Sequence, residues 1–215
     1  MRKLRVLRLR ISAEDRLRNS AVANSVSLPK LFGVLEQSRQ PAIDRQALLR
    51  WVIFQVLVGN TDAHGKNLAF FSDSQGLRFA PMYDVVCIAA LGASQIEDAY
   101  AMAIGDAFCE REISAHERAH FADTCRIPPR NLAVQLKLLA SRVLEQLPVV
   151  VADVAQSGVP GEVATPVAKV VTANCQRHLA MGDRHCEGEI PDRKAQAQVG
   201  STSSREAASP APITR

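Results

Sequence analysis

The sequence predicts a mainly α fold that carries one small β-hairpin. Apolar residues recur at helical spacing in several stretches, while one pair of short apolar runs is joined by a turn-forming cluster at residues 72–76. With 215 residues, 47% of them apolar, the chain is long enough to bury one sizeable core.

The chain opens on a basic run, Arg2, Lys3, Arg5, Arg8, Arg10, Arg16 and Arg18, although the formal net charge is only +4. Such a run can neutralise phosphates on nucleic acid or an anionic surface. Its ordinary role is a solvated face or a segment outside the fold, and residues 1–26 are set apart on that ground. No apolar stretch follows it in the manner of a signal peptide.

Residues 44–58 place Leu48, Leu49, Val52, Ile53, Val56 and Leu57 at helical spacing, with Asp44 suited to cap the start and Gly59 the end. Trp51 falls on this helix and reads as core. The apolar run at 51–58 is interrupted by Gln55 and far short of the roughly 20 residues a membrane span needs. No membrane association is expected.

A polar loop at 60–67 leads into apolar residues 68–71, the turn at 72–76 and apolar residues 77–80, the predicted hairpin. Ser114 and Glu117 spell a capping box for a helix of about ten residues. Pro128 and Pro129 open a longer helix through Leu132, Leu136, Leu139, Val143 and Leu147. Residues 156–166, rich in Gly, Pro and small side chains, read as a linker within a segment 157–186 that holds one more helix at 167–179. Residues 187–215 carry few large apolar side chains and are expected to be disordered.

The loop carries the chemistry. In Gly59-Asn-Thr-Asp-Ala-His-Gly-Lys-Asn67, Asp62 and Asn67 stand five positions apart, the separation of the base and the metal-binding asparagine in kinase catalytic loops. Phosphoryl transfer needs a carboxylate to orient and deprotonate the attacking hydroxyl, which suits Asp62, and a neutral oxygen ligand for Mg2+, which suits Asn67. A second metal carboxylate is required across the phosphates, and Asp84 stands after the hairpin. Lys66 can neutralise charge on the transferring group, and His64 can hold Asp62 or the loop backbone. Asn60, Thr61, Asp62, Gly65 and Asn67 are also ordinary turn formers, so spacing alone is a weak signal. The helix before, the hairpin after and the Tyr83-Asp84 pair strengthen it.

Gly59, Asn60, Asp62, His64, Lys66 and Asn67 after an apolar helix, followed by Ala80, Pro81, Tyr83 and Asp84, resemble the hallmark of HipA-like kinases. The resemblance runs from about residue 27 to residue 154, including residues 101–105. It implies a protein-kinase-like C-lobe over 27–156, with the hairpin carrying the metal-binding aspartate. It also implies an ATP- and Mg2+-dependent serine/threonine kinase acting on a protein, of a kind found as toxins in bacterial toxin-antitoxin modules. Carried over, Asp62 is the base, with Lys66 and His64 beside it; Asn60, Lys66 and Tyr83 bind nucleotide; Asn67 and Asp84 bind Mg2+. A helix-turn-helix antitoxin partner is implied as well, with any DNA contact made through it.

The sequence departs from that pattern in one respect. Family members carry a phosphate-covering loop and a nucleotide-pairing lysine ahead of this region, whereas here the first glycine is Gly33 and only Lys3 and Lys30 precede Lys66. The chain is therefore expected to be truncated, with the basic start a remnant of that truncation, and to be a weak kinase or a catalytically dead binding module.

A second motif competes. His116-Glu117-Arg118-Ala119-His120 spells the helical zinc-protease signature, with Glu145 or His178 as distant third ligands. Charged Arg118 and the lack of a following G-x-x-H count against it. Cys87, Cys109, Cys125, Cys175 and Cys186 show no C-x-x-C pair, and an odd count fits a reducing cytoplasm. Cys87, close after Asp84, has no activating base nearby and reads as packing rather than a reactive thiol.

Overall fold

The computed structural model describes residues 5–8, 26–91 and 99–183. Five α-helices and a three-stranded antiparallel sheet make up these residues: β1 (Arg5–Arg8), α1 (Leu28–Val34), α2 (Pro41–Val58), β2 (Ala69–Asp73), β3 (Gly76–Phe79), α3 (Ala115–Thr124), α4 (Pro129–Gln156) and α5 (Gly161–Asp183). Among the described residues no helix is long and apolar enough to cross a membrane. The expected tail at 187–215 lies outside them.

α2 is the axis of the core. Leu48, Leu49, Trp51, Val52, Ile53, Val56 and Leu57 are all buried, on more than one face, because other helices pack around it. Each such side chain contributes about 1.5–3 kcal/mol on burial. Phe32 of α1 meets Phe121 of α3 edge-to-face with centroids 6.1 Å apart. The Arg45 guanidinium ties the same corner together, donating to the carbonyls of Phe32 and Cys125, each at 2.8 Å.

The start of α2 differs from expectation. The helix begins at Pro41, where proline's fixed φ and missing N–H fit the first turn, and Asp44 lies inside that turn. Its buried Oδ1 accepts instead from the Phe79 N–H at 3.1 Å, fastening the sheet to the helix. The end is as expected: Gly59 takes φ +69°, and the N–H groups of Gly59 and Asn60 bond back to the carbonyls of Val56 and Gln55.

The hairpin gains a third strand. β1 pairs antiparallel with β2 in the register Arg5 to Ser72 and Arg8 to Ala69, so part of the basic start is inside the fold. β2 and β3 close over Ser74 and Gln75, where the Gln75 N–H donates to Asp73 Oδ1 at 2.8 Å and Gly76 adopts φ +117°.

Ser114 caps α3 through its hydroxyl, which accepts from the Glu117 N–H at 3.2 Å, but the reciprocal half of the capping box is absent. The Glu117 carboxylate reaches the Asp106 N–H at 2.6 Å instead. α5 starts at Gly161 and runs through Pro166, so the interval read as a linker is mostly helix. It packs on α2 and α4 with Val171, Cys175 and His178 buried.

Candidate phosphotransfer site

The loop at 59–67 is fixed at both ends by groups the fold buries. Asn60 is only 1% exposed, and its Nδ2 donates to Gln55 Oε1 at 2.8 Å and to the Asp84 carbonyl at 3.3 Å. The Thr61 carbonyl accepts from the Ala101 N–H at 3.0 Å, tying the loop to the segment at 100–108. A 3-10 turn over Gly65–Asn67 then brings Asn67 back into the protein.

Asn67 and Asp84 meet there. Asn67 Nδ2 donates to Asp84 Oδ2 at 2.7 Å, while the buried Oδ1 of Asn67 has no hydrogen-bond partner. Buried amide oxygens are rarely left so, since desolvation without a partner costs about 1–3 kcal/mol. A lone-pair oxygen beside an exposed carboxylate is the donor set a hard divalent cation takes, so these residues fit Mg2+. Asp84 itself sits at φ +57°, an angle residues other than glycine seldom adopt. It follows β3 by several residues and lies in irregular chain, not on the hairpin.

The remaining residues singled out in the sequence lie on the same loop or next to Asp84 in the chain. Asp62 presents an exposed side chain from the loop, with His64 Nε2 3.8 Å from its Oδ1. His64 is largely buried, and its Nδ1 has no hydrogen-bond partner. Lys66 is exposed. The Tyr83 hydroxyl donates to the Lys66 carbonyl at 2.6 Å, joining the loop to the segment that carries Asp84. Asn60 and Tyr83 thus hold protein groups in place. Sequence reading did not single out Gln55, which anchors Asn60; a buried polar residue on an otherwise apolar helix was the available signal.

The zinc-protease arrangement does not assemble. Among the described residues, the ligand atoms that converge within 4.8 Å belong to Asp106, Glu117 and His120, without His116. His120 Nδ1 lies 3.3 Å from Asp106 Oδ2. His178 is buried on α5, its Nε2 2.9 Å from Glu110 Oε1, and Glu145 is exposed on α4. Cys87 is partly buried; burial pushes its thiol up against the opposing hydrogen bond from the Ala90 backbone, the wrong direction for a nucleophile.

A helical lobe around one buried axis, with an Asp-bearing loop and an asparagine–aspartate pair at its end, defines a class, and residues 6–150 match the HipA-like C-terminal domain. The chain belongs to that family. It is 33% identical over 174 residues to the serine/threonine-protein kinase toxin HipA of Shewanella oneidensis, a match covering 79% of this chain and 39% of that protein. It is also similar to a solved structure from Shewanella oneidensis MR-1, titled as the toxin-antitoxin system HipA, HipB and its operator DNA complex. That match has a TM-score of 0.70 and 28% identity, covering 84% of this chain and 41% of the other. The chain therefore spans about two fifths of the length of these relatives.

Proposed function

We propose that the chain carries the base and metal half of a serine/threonine protein kinase site that transfers the ATP γ-phosphate to a protein hydroxyl. The observation that supports this most is the 2.7 Å contact between Asn67 and Asp84, made on the same loop that exposes Asp62. Asp62 orients the incoming serine or threonine hydroxyl and takes its proton, and His64 limits where that carboxylate can swing. Asn67 Oδ1 and the Asp84 carboxylate would hold Mg2+, which when bound neutralises charge building on the phosphates. Lys66 adds a positive charge beside the same space. Asn60 and Tyr83 act by bracing Asp84 and the Lys66 backbone, a role different from direct nucleotide contact.

Ahead of Lys66 the sequence has no glycine-rich loop and only Lys3 and Lys30 as lysines. Phosphoryl transfer depends almost wholly on positioning and charge stabilisation, so this half alone is expected to bind MgATP weakly and to phosphorylate weakly or not at all. By analogy with the HipA–HipB–DNA complex, a helix-turn-helix antitoxin is the proposed partner, with DNA reached through it. The cytoplasm, where MgATP is available, is the proposed setting.

Titration of MgATP into the purified chain and into its Asp84→Ala variant tests the reading. Saturable binding weakened at least about tenfold by the substitution is expected, since each lost charge-assisted ligand is worth about 1.5–3 kcal/mol. Equal absence of binding in both proteins would leave a dead binding module as the better description.

A further inference from the structure

The last helix of the described residues, α5, lies beyond residues 6–150, the span matched by the family model, and no task follows for it from the kinase reading. Its contacts supply one. Asn174 points its amide nitrogen at the last carbonyls of α2, donating to Val56 O at 3.3 Å and reaching Leu57 O at 3.5 Å. Both carbonyls belong to the final turn of α2, and that of Val56 also accepts from the Gly59 N–H at 3.1 Å, so Asn174 adds a tertiary tie to the helix end.

The same face of α5 closes on Gly59. A Cβ placed there would sit 3.1 Å from Val170 Cγ1, 3.5 Å from Asn174 Nδ2 and 3.0 Å from Ala89 Cβ. Val170 and Asn174 are four residues apart, so one helical face presents both. From the other side, the Ala89 N–H donates to the Gly59 carbonyl at 3.2 Å. Gly59 is thus gripped between α5 and the chain that follows Asp84, at the point where α2 becomes the loop.

We propose that α5 is a brace for the 59–67 loop and that Asn174 is a positioning residue: by fixing the last turn of α2 and the Gly59 junction, it sets where Asp62 and Asn67 stand. The proposal rests on reading that loop as the phosphotransfer loop.

Amide hydrogen exchange on the full chain tests this without nucleotide. Asn174→Asp keeps the side-chain size but replaces the donor with a second acceptor facing carbonyls. The Asn60, Ala63 and Asn67 amides are expected to exchange about tenfold faster in that variant, while the middle of α2 keeps its protection. Phe121→Leu, a buried loss on α3 and away from the α5 contact, serves as the control for general loosening and is expected to leave the loop-to-α2 ratio unchanged. Unaltered loop exchange in Asn174→Asp, or an equal change in Phe121→Leu, overturns the proposal. If the unsubstituted chain binds MgATP, Asn174→Asp is further expected to weaken that binding about tenfold, and unchanged affinity would also overturn it. Failure of the unsubstituted chain to bind MgATP strikes the kinase reading, whereas the exchange result decides the brace by itself.

Discussion

At the scale of single residues, Gly59 is the most constrained position of the loop. Its φ of +69° costs any other residue about 1–2 kcal/mol, and the space for a side chain is already filled by Ala89 and Val170. Gly59→Ala is therefore expected to lower stability by about 2 kcal/mol or more, seen as a fall in urea midpoint with unchanged slope. The glycine was legible as a helix terminus from its place after an apolar run. That it also meets α5, more than a hundred residues later in the chain, was not, because only tertiary packing brings Val170 and Asn174 to it. Asp44 was misread for a related reason: an aspartate near a helix start is locally a cap, and its true partner, the Phe79 N–H, is supplied by a strand far along the chain.

Among the elements, α5 is held to the segment before α3 by a partly buried polar cluster. Glu110 accepts from the Tyr100 hydroxyl at 2.8 Å and from Arg177 at 2.7 Å, with His178 Nε2 at 2.9 Å. Burial pushes the Glu110 carboxyl up, but the hydrogen bond and charge of His178, the Tyr100 hydroxyl and the Arg177 guanidinium outweigh it, leaving the group below its ordinary value of 4.5. A carboxyl depressed on folding contributes stability that is complete above the unfolded value and is lost as pH falls through the lower folded one. Thermal melts from about pH 7 to about pH 3 are expected to show Glu110→Gln less stable at neutral pH, with a shallower acid decline than the unsubstituted chain. An identical acid limb in both would exclude Glu110 as its source. Helical periodicity revealed α2 and α4 well, since their apolar spacing is strong. The onset of α5 escaped because Gly161 and Pro166 are helix breakers in isolation, and burial of Val171, Cys175 and His178 overrides them.

For the whole molecule, β1 joins the first residues to the sheet that supports the site. The run Arg-Val-Leu-Arg looked like solvated charge because arginine dominates it, and strand pairing cannot be read from composition. Removing residues 1–8 would leave β2 with an unpaired outer edge. A melting temperature lower by about 2–8 °C and concentration-dependent association by size-exclusion chromatography are expected for that shortened chain. The helix and the loop after it were legible from apolar spacing and turn formers, and Asn67 and Asp84, both singled out in the sequence, are in contact. Their bracing by Gln55, Tyr83 and α5 was not, since any well-placed donor or packed side chain could have done the same.

Asp84 has a consequence for how the backbone answers substitution. At φ +57° an aspartate is held against a steric preference of its own backbone, at a cost of order 1 kcal/mol, where glycine would rest without strain. Its carboxylate accepts from Asn67 Nδ2 at 2.7 Å, so glycine at this position would relax the turn while releasing the loop from the segment after the hairpin.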